Sequence, residues 1–451
     1  MGSSPIGRTR LLWGSQEPLF FCKEVSDLNA YASFGITDSV QAAADRAEAA
    51  VASVFDRIEQ VRQYWQLKTI RAFQTAAVAE SAYQSTTGYG YSDRAREQTE
   101  AVFAHVFDAE EALVRVQFSS GTHVLATMLR GLLTAGDHLV IASGTPYDTL
   151  LPLLGMGQAD RFAGTLPQAG VAISTVPLRA DGSIDVPAVV AAVSPQTKVV
   201  YVQKSRGYSA RPALSNEAVK DLRNALSQAG LTCDIAVDFC YCEYVEEESP
   251  LTCGANIIAG SLIKNPGAGI APGGGYIAGD ARLLRQIEAM LTAPGVGAHI
   301  GPQLGLSRLI QQGFYFAPRV VAEAMKSAVF AAALFQDAGF AVSPLPGEAR
   351  SDIVQQIELA SETRLIRFCE AVQKAAPVDS FVAPVPAPMP GYDCDIIMAS
   401  GAFISGSSIE LSADGPLRPP YAVFLQGGLS YENGRLAAML ALEKLSDQEN
   451  A

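Results

Sequence analysis

Histidine is scarce in this chain: four residues in 451, scattered, with seven cysteines that share no zinc-like spacing with them. A zinc site is therefore not expected. Cysteines 22, 233, 240, 242, 253, 369 and 394 are odd in number and set in apolar context, which points to reduced, cytoplasmic thiols. Cys240 and Cys242 stand too close in sequence for a comfortable disulfide. Charged residues make up 18%, below the usual share of about a quarter, and the formal net charge is −13. That balance argues against nucleic-acid binding through a broad basic surface. Long apolar runs are missing too. Ala328 to Phe335 falls far short of the roughly 20 residues of a membrane helix. Near the start, Leu11-Leu12-Trp13 follows Arg8 and Arg10 but is cut off by Gly14 to Pro18, so no signal peptide is expected. There is no Walker pattern, no dinucleotide fingerprint, no internal repeat and no strongly biased segment.

What is present is a large apolar fraction, 49% of residues, in a chain long enough for two or three domains. Residues 1 to about 36 read as irregular. Asp38 with Gln41 resembles a capping box opening a helix, and Val40, Ala47, Val51, Val54, Phe55, Ile58 and Val61 recur at helical spacing. A second helix is expected from Lys68 to about Glu80. From about Arg94 to Phe107 runs another helix, and then the pattern alternates. Strands are expected at Leu113–Phe118, His138–Ala142, Val171–Val176, Lys198–Gln203, Thr232–Val237 and Ile257–Leu262. Helices are expected at Thr122–Leu133 and around 185–193 and 215–229. Such alternation means βαβ units and a mostly parallel sheet. A long helix, about Arg319 to Ala338, then leads to shorter strands and a Pro-rich link at 377–390. The expected division is an N-terminal helical arm at 1–85, a large domain at 86–325 and a smaller α+β domain at 326–451.

The chain is organised around Ser261-Leu262-Ile263-Lys264 and the glycine-rich stretch from Asn265 to Gly275. A lysine between an apolar strand and such a loop stands where backbone can approach a ligand closely. Asp238 closes the preceding apolar run Asp234-Ile235-Ala236-Val237. A strand-end acid points into the crevice where open α/β sheets bind ligands. Asp238 with Lys264 points to pyridoxal phosphate, the carboxylate holding the pyridine nitrogen protonated and the amine forming the Schiff base. Ser261 can hydrogen-bond the phosphate. Ser119-Ser120-Gly121-Thr122-His123, between a strand and a helix, offers hydroxyls and free N–H groups to a phosphate, or is an ordinary helix cap. Tyr147 follows the next strand and can stack on a flat ring. His123 competes for that task, and either can be a packed aromatic. Lys204, Arg206 and Tyr208 follow another strand and are binding candidates, or belong to a solvated loop. Arg418 suits bidentate capture of a substrate carboxylate, or is a surface arginine.

The set Ser120-Gly121-Thr122-His123, Asp238 and Ser261-Leu262-Ile263-Lys264-Asn265-Pro266-Gly267 resembles the aluminium-resistance, methionine gamma-lyase-like family of pyridoxal-phosphate proteins. Supporting stretches are Lys204 to Tyr208, Tyr241 to Glu246, Gly273 to Gly279 and Gln426 to Tyr431. The resemblance covers the chain from about residue 30. It implies the aspartate-aminotransferase-like fold, type I, with a mostly parallel seven-stranded large-domain sheet and a smaller C-terminal α+β domain. By the same resemblance Lys264 is the Schiff-base lysine, Asp238 the ring-nitrogen partner, Gly121, Thr122 and Ser261 the phosphate holders, and Tyr147 the stacking ring. Two subunits usually share each site in that fold, which makes Tyr91 and Arg94 candidates to reach a neighbour's phosphate in a homodimer or homotetramer. Ile263 stands where the better-known sulfur-amino-acid lyases have threonine. Cys242 and Ala268 stand where glycine is expected.

The expected activity is that of a pyridoxal-phosphate enzyme acting on an amino acid, foremost a carbon–sulfur lyase. Its rivals are an aminotransferase using the same residues, and an idle stress-associated protein that keeps only the fold.

Overall fold

The computed structural model describes residues 30–84, 86–89, 93–157, 159–389 and 392–446. Helix α1 (Asp38–Ala50) is capped by Thr37, whose hydroxyl accepts from Val40 N. The Asp38–Gln41 box is thereby corrected: Asp38 is already the first helical residue. The apolar periodicity that read as one helix is broken at Val51, and α2 (Ala52–Thr75) restarts beyond it, so Glu80 falls in a separate short turn. Helix α3 (Arg94–Phe107) has the expected bounds, with Asp93 accepting from Arg96 N at its start and Asp108 in the left-handed region at its end.

Next come β1 (Glu111–Arg115), α4 (Gly121–Leu132), β2 (His138–Ile141), β3 (Ala172–Thr175), α5 (Val186–Ala192), β4 (Thr197–Gln203), α6 (Asn216–Gln228), β5 (Asp234–Asp238) and β6 (Ile257–Ser261). All six strands are within a few residues of their expected places, β1 starting two residues earlier. Two elements were not legible, β7 (Gly275–Gly279) and α7 (Ala281–Leu291). The glycine-rich stretch that reads as loop closes with a strand, because its glycines let neighbours come close. A Cβ at Gly279 would stand 2.2 Å from Asn256 O.

The seven strands order as β1-β7-β6-β5-β4-β2-β3, with β7 antiparallel to both neighbours and the others mutually parallel. Alternate residues of the central strands feed two cores. Val200 and Val202 of β4, Ile235 and Val237 of β5 and Ile258 of β6 pack on one face. Val199, Tyr201, Ala236, Ile257 and Ala259 pack on the other, under α4 and α7. Burial on both faces explains why these strands read as continuous apolar runs.

Helix α8 (Ser307–Asp337) begins twelve residues before the expected start, with Pro318 inside it. The expectation stopped at the proline, which removes an N–H and crowds the preceding turn. Burial of most of the helix overrides that cost. The divide expected between 325 and 326 falls within α8, which packs against α1, α2 and α10 as well as β8, β9 and β12. Beyond it, β8 (Ala341–Ser343), β9 (Gln355–Glu358), α9 (Glu362–Ala375), β10 (Ile396–Ser400), β11 (Ser412–Pro416), β12 (Ala422–Gln426) and α10 (Tyr431–Ser446) build an antiparallel sheet of order β10-β11-β12-β9-β8 backed by helices. Among the described residues, no helix is long and apolar enough to cross a membrane, and the six described cysteines are unpaired.

Candidate active site

The carboxyl ends of β1, β2, β4, β5 and β6 bring Gly121, Tyr147, Gln203, Asp238 and Lys264 to one cavity of about 600 Å³, roofed by the C-terminal sheet. This is the crevice where open parallel sheets bind ligands. Asp238 ends β5, and Lys264 follows the adjacent parallel strand β6. The Lys264 ammonium faces the cavity, 3.9 Å from the centre of the Tyr241 ring. Burial alone would lower its pKa; the acidic groups facing it, Cys240, Tyr241, Asp238 and Tyr147, raise it more, and the net direction is upward. Burial holds Cys240 and Tyr241 protonated, so at neutral pH the opposing charge is that of Asp238. The Asp238 carboxyl is itself pushed up by burial, against the pull of Lys264 and a hydrogen bond from Cys240 N at 3.0 Å.

Helix α4 points its first turn at this pair. A Cβ on Gly121 would lie 3.5 Å from Ser261 Cβ, 3.9 Å from Cys240 Sγ and 4.0 Å from Lys264 Nζ, so bare backbone faces the lysine. The Ser261 hydroxyl is buried and has no hydrogen-bond partner, a position that calls for a ligand acceptor or donor. Thr122 lines the cavity and its hydroxyl meets that of Thr149 at 2.6 Å. Ser120 and His123 do not line it. Ser120 spends its hydroxyl capping α4, and His123 takes a hydrogen bond from Ser119 N at 3.1 Å with its ring edge-on to Phe118. Of the two stacking candidates, Tyr147 is the one in the cavity. Its N–H donates to Gln203 Oε1 at 2.7 Å, Tyr392 Oη donates to its hydroxyl at 3.0 Å, and burial pushes its pKa up to about 12.

Three further candidates sit elsewhere. The Lys204 ammonium is wholly buried away from the cavity, tied to Glu246 and Asn216. Arg206 clamps the loop after β4 to β8 and β9, donating to Ser343 O at 2.8 Å and Gln356 Oε1 at 3.2 Å. Arg418 is half-exposed and pairs with Asp393 at 2.8 Å. Each found an internal partner that sequence distance concealed, and none lines the cavity. Tyr208 does line it, donating to Asp414 Oδ2 at 2.8 Å. Arg94 is exposed at the start of α3, donating to Ser81 Oγ at 3.1 Å, and Tyr91 lies outside the described residues.

Sequence reasoning missed Tyr241, Cys240, Gln203, Asp379 and Asp414 as cavity residues. The sequence signal for Tyr241 was its place just after the strand-end Asp238. Its backbone is strained, with φ +69°, as is Ala268 at +50° beyond Lys264, one of the two places where glycine was expected. Non-glycine residues held there cluster at sites where surrounding structure over-determines them.

Residues 40–446 match the family model of methionine gamma-lyase. The uncharacterized protein YnbB of Bacillus subtilis (strain 168) is 40% identical over 402 residues, covering 89% of this chain and 95% of YnbB. The crystal structure of a carbon–sulfur lyase involved in aluminum resistance from Clostridium novyi NT superimposes with a TM-score of 0.88 at 36% identity, covering 93% and 99% of the two chains. A Listeria monocytogenes structure, a candidate cystathionine beta-lyase involved in aluminum resistance, gives 0.87 at 40% identity over 90% and 99%.

Proposed function

The chain belongs to the methionine gamma-lyase family, and on that premise we propose that it is a pyridoxal-phosphate-dependent carbon–sulfur lyase acting on an amino acid. The observation that carries this reading is the convergence of Lys264, Asp238 and the unpartnered Ser261 hydroxyl on the first turn of α4. The cavity residues fit the cofactor. Gly121, Thr122 and Ser261 would hold its phosphate, where helix N–H groups favour an anion. Asp238 would hold a proton on the ring nitrogen through a charge-assisted hydrogen bond, and Tyr147 would cover the ring.

When bound, pyridoxal phosphate supplies an aldehyde carbon that links to amines and a ring that accepts electrons. Lys264 would hold the cofactor through that carbon until a substrate amine takes its place. Its freed amine is then placed to take the Cα proton as general base. As the carbon–sulfur bond breaks, the electron pair leaves with sulfur, which takes a proton and departs as a thiol. Water converts the remaining unsaturated amine to keto acid and ammonia. The cavity lies between the large sheet and the C-terminal sheet, so the reacting carbon is flanked by both.

The test is a panel of sulfur amino acids assayed for keto acid, ammonia and thiol with no second keto acid added. Equal release of all three is expected. Lys264→Ala should lower the rate by roughly 10²–10⁴-fold and lose the borohydride-reducible bond to the cofactor. Asp238→Asn should keep the bond yet lose roughly a hundredfold or more in rate. Turnover that requires an added keto acid, or a reducible bond at another lysine in Lys264→Ala, overturns the reading.

A further inference from the structure

The C-terminal sheet presents an alternating face to the cavity. Register pairs Met398 with Asp414, Ser400 with Ser412, and Ser412 with Gln426, so these five side chains share one side. All five line the cavity that holds Lys264. The intervening residues Ile397, Ala399, Ala413 and Leu425 point the other way, into the core. A sheet that needed only to pack would not place serine, aspartate and glutamine along a wall of this kind, since buried polar groups must be partnered.

Two of them keep a polar atom without a partner. Asp414 is 3% exposed, and its Oδ2 accepts from Tyr208 Oη at 2.8 Å and Gln426 Nε2 at 2.9 Å. Its Oδ1 has no partner, and neither has the hydroxyl of Ser412, 5% exposed. Tyr208 and Gln426 thus fix the carboxylate while leaving one oxygen free. Burial pushes the Asp414 carboxyl up to about 6, which still leaves it ionised at neutral pH. Charge elsewhere on the wall points the same way. Asp379 lines it too, and among the described cavity residues Lys264 is the one basic side chain.

We propose that the Asp414–Ser412 wall is a subsite for a protonated primary amine at the far end of the substrate's sulfur substituent. The substrate class is a thioether amino acid whose leaving thiol carries an ammonium group. An ammonium brings three donors; the free Asp414 oxygen and the Ser412 hydroxyl accept two of them. A distal carboxylate would instead meet two carboxylates with no guanidinium to offset them. The assignment rests on the lyase reading, because it places the reacting carbon at Lys264 and the leaving half against the opposite wall.

The experiment compares S-(2-aminoethyl)-L-cysteine with its near-isostere S-propyl-L-cysteine on the cofactor-loaded enzyme, by kcat/KM and by calorimetric binding. The amine should be preferred roughly 10–100-fold, the range of a hydrogen bond to a charged group. In Asp414→Asn that ratio should fall towards one. Ser412→Ala, a milder change, should move the ratio the same way by a smaller factor. No preference in the wild-type enzyme, or a ratio unmoved in both variants, overturns the subsite. Should neither compound release thiol while calorimetry still shows the amine preference and its loss in Asp414→Asn, the subsite stands and the lyase reading falls.

Discussion

Behind Lys264 the Glu243 carboxyl is fully buried, one oxygen accepting from Tyr276 Oη at 2.8 Å and the other unpartnered. Burial, opposed by hydrogen bonds and Lys264, raises its pKa from 4.5 to about 8. An acid whose pKa is raised by folding is bound to its proton more tightly in the native state. Its contribution is fully present below pH 4.5 and is lost as pH rises through about 8. The loss across that window is on the order of a few kcal/mol, since one pKa unit corresponds to about 1.4 kcal/mol. Glu243→Gln keeps the shape and removes the titration. We expect the cofactor-free variant to melt above the wild type at alkaline pH, with the gap closing at acid pH. Parallel melting-temperature profiles for the two proteins would show that Glu243 does not titrate in this window. Its neighbour Asn265 donates to Glu243 O at 3.0 Å, so this buried acid sits directly under the lysine loop.

Helix α8 rests on that loop through Gly313. A Cβ there would stand 2.4 Å from Gly267 O and 3.0 Å from Gly267 C, too close for backbone to tolerate. Alanine would raise helix propensity by about 1 kcal/mol. Overpacking against backbone costs roughly 1–3 kcal/mol and wins. Gly313→Ala is expected to lower stability by about 1–2 kcal/mol in denaturant titration, and to weaken cofactor binding by shifting the turn that carries Lys264. Unchanged binding with lowered stability would mean that α8, not the loop, gives way. The elements differ in how openly their residues declare them. Helix α3 was readable because its periodicity and flanking residues agree. Strand β7 was not, because Gly275 and Gly279 are there for close approach rather than for strand propensity.

For the whole molecule, Arg94 stands exposed at the N-terminus of α3 rather than in its own cavity. We propose a homodimer or homotetramer in which the segment ending at Arg94 completes a second copy's phosphate site. Sedimentation should show at least a dimer. If Arg94 acts across the interface, mixing and reassembling equal amounts of inactive Arg94→Ala and Lys264→Ala proteins should restore about a quarter of wild-type activity, as half the dimers then hold one intact site. An active monomer, or no recovery from verified mixed dimers, removes the shared site.

The alternation of strands and helices, the apolar strand interiors, and the Lys264, Asp238 and Ser261 positions were determined by local sequence. Periodicity and strand-end placement act over a few residues and need no distant partner to be read. Only the tertiary structure decided that Lys204 pairs with Glu246, that Arg206 clamps Ser343 and Gln356, and that Arg418 turns to Asp393. It also decided that Tyr147, Tyr208 and Asp414 meet in one cavity. A side chain's local pattern tells which way it leaves its strand. What waits there depends on strand order and on how the second sheet closes over the first, which joins residues more than two hundred positions apart.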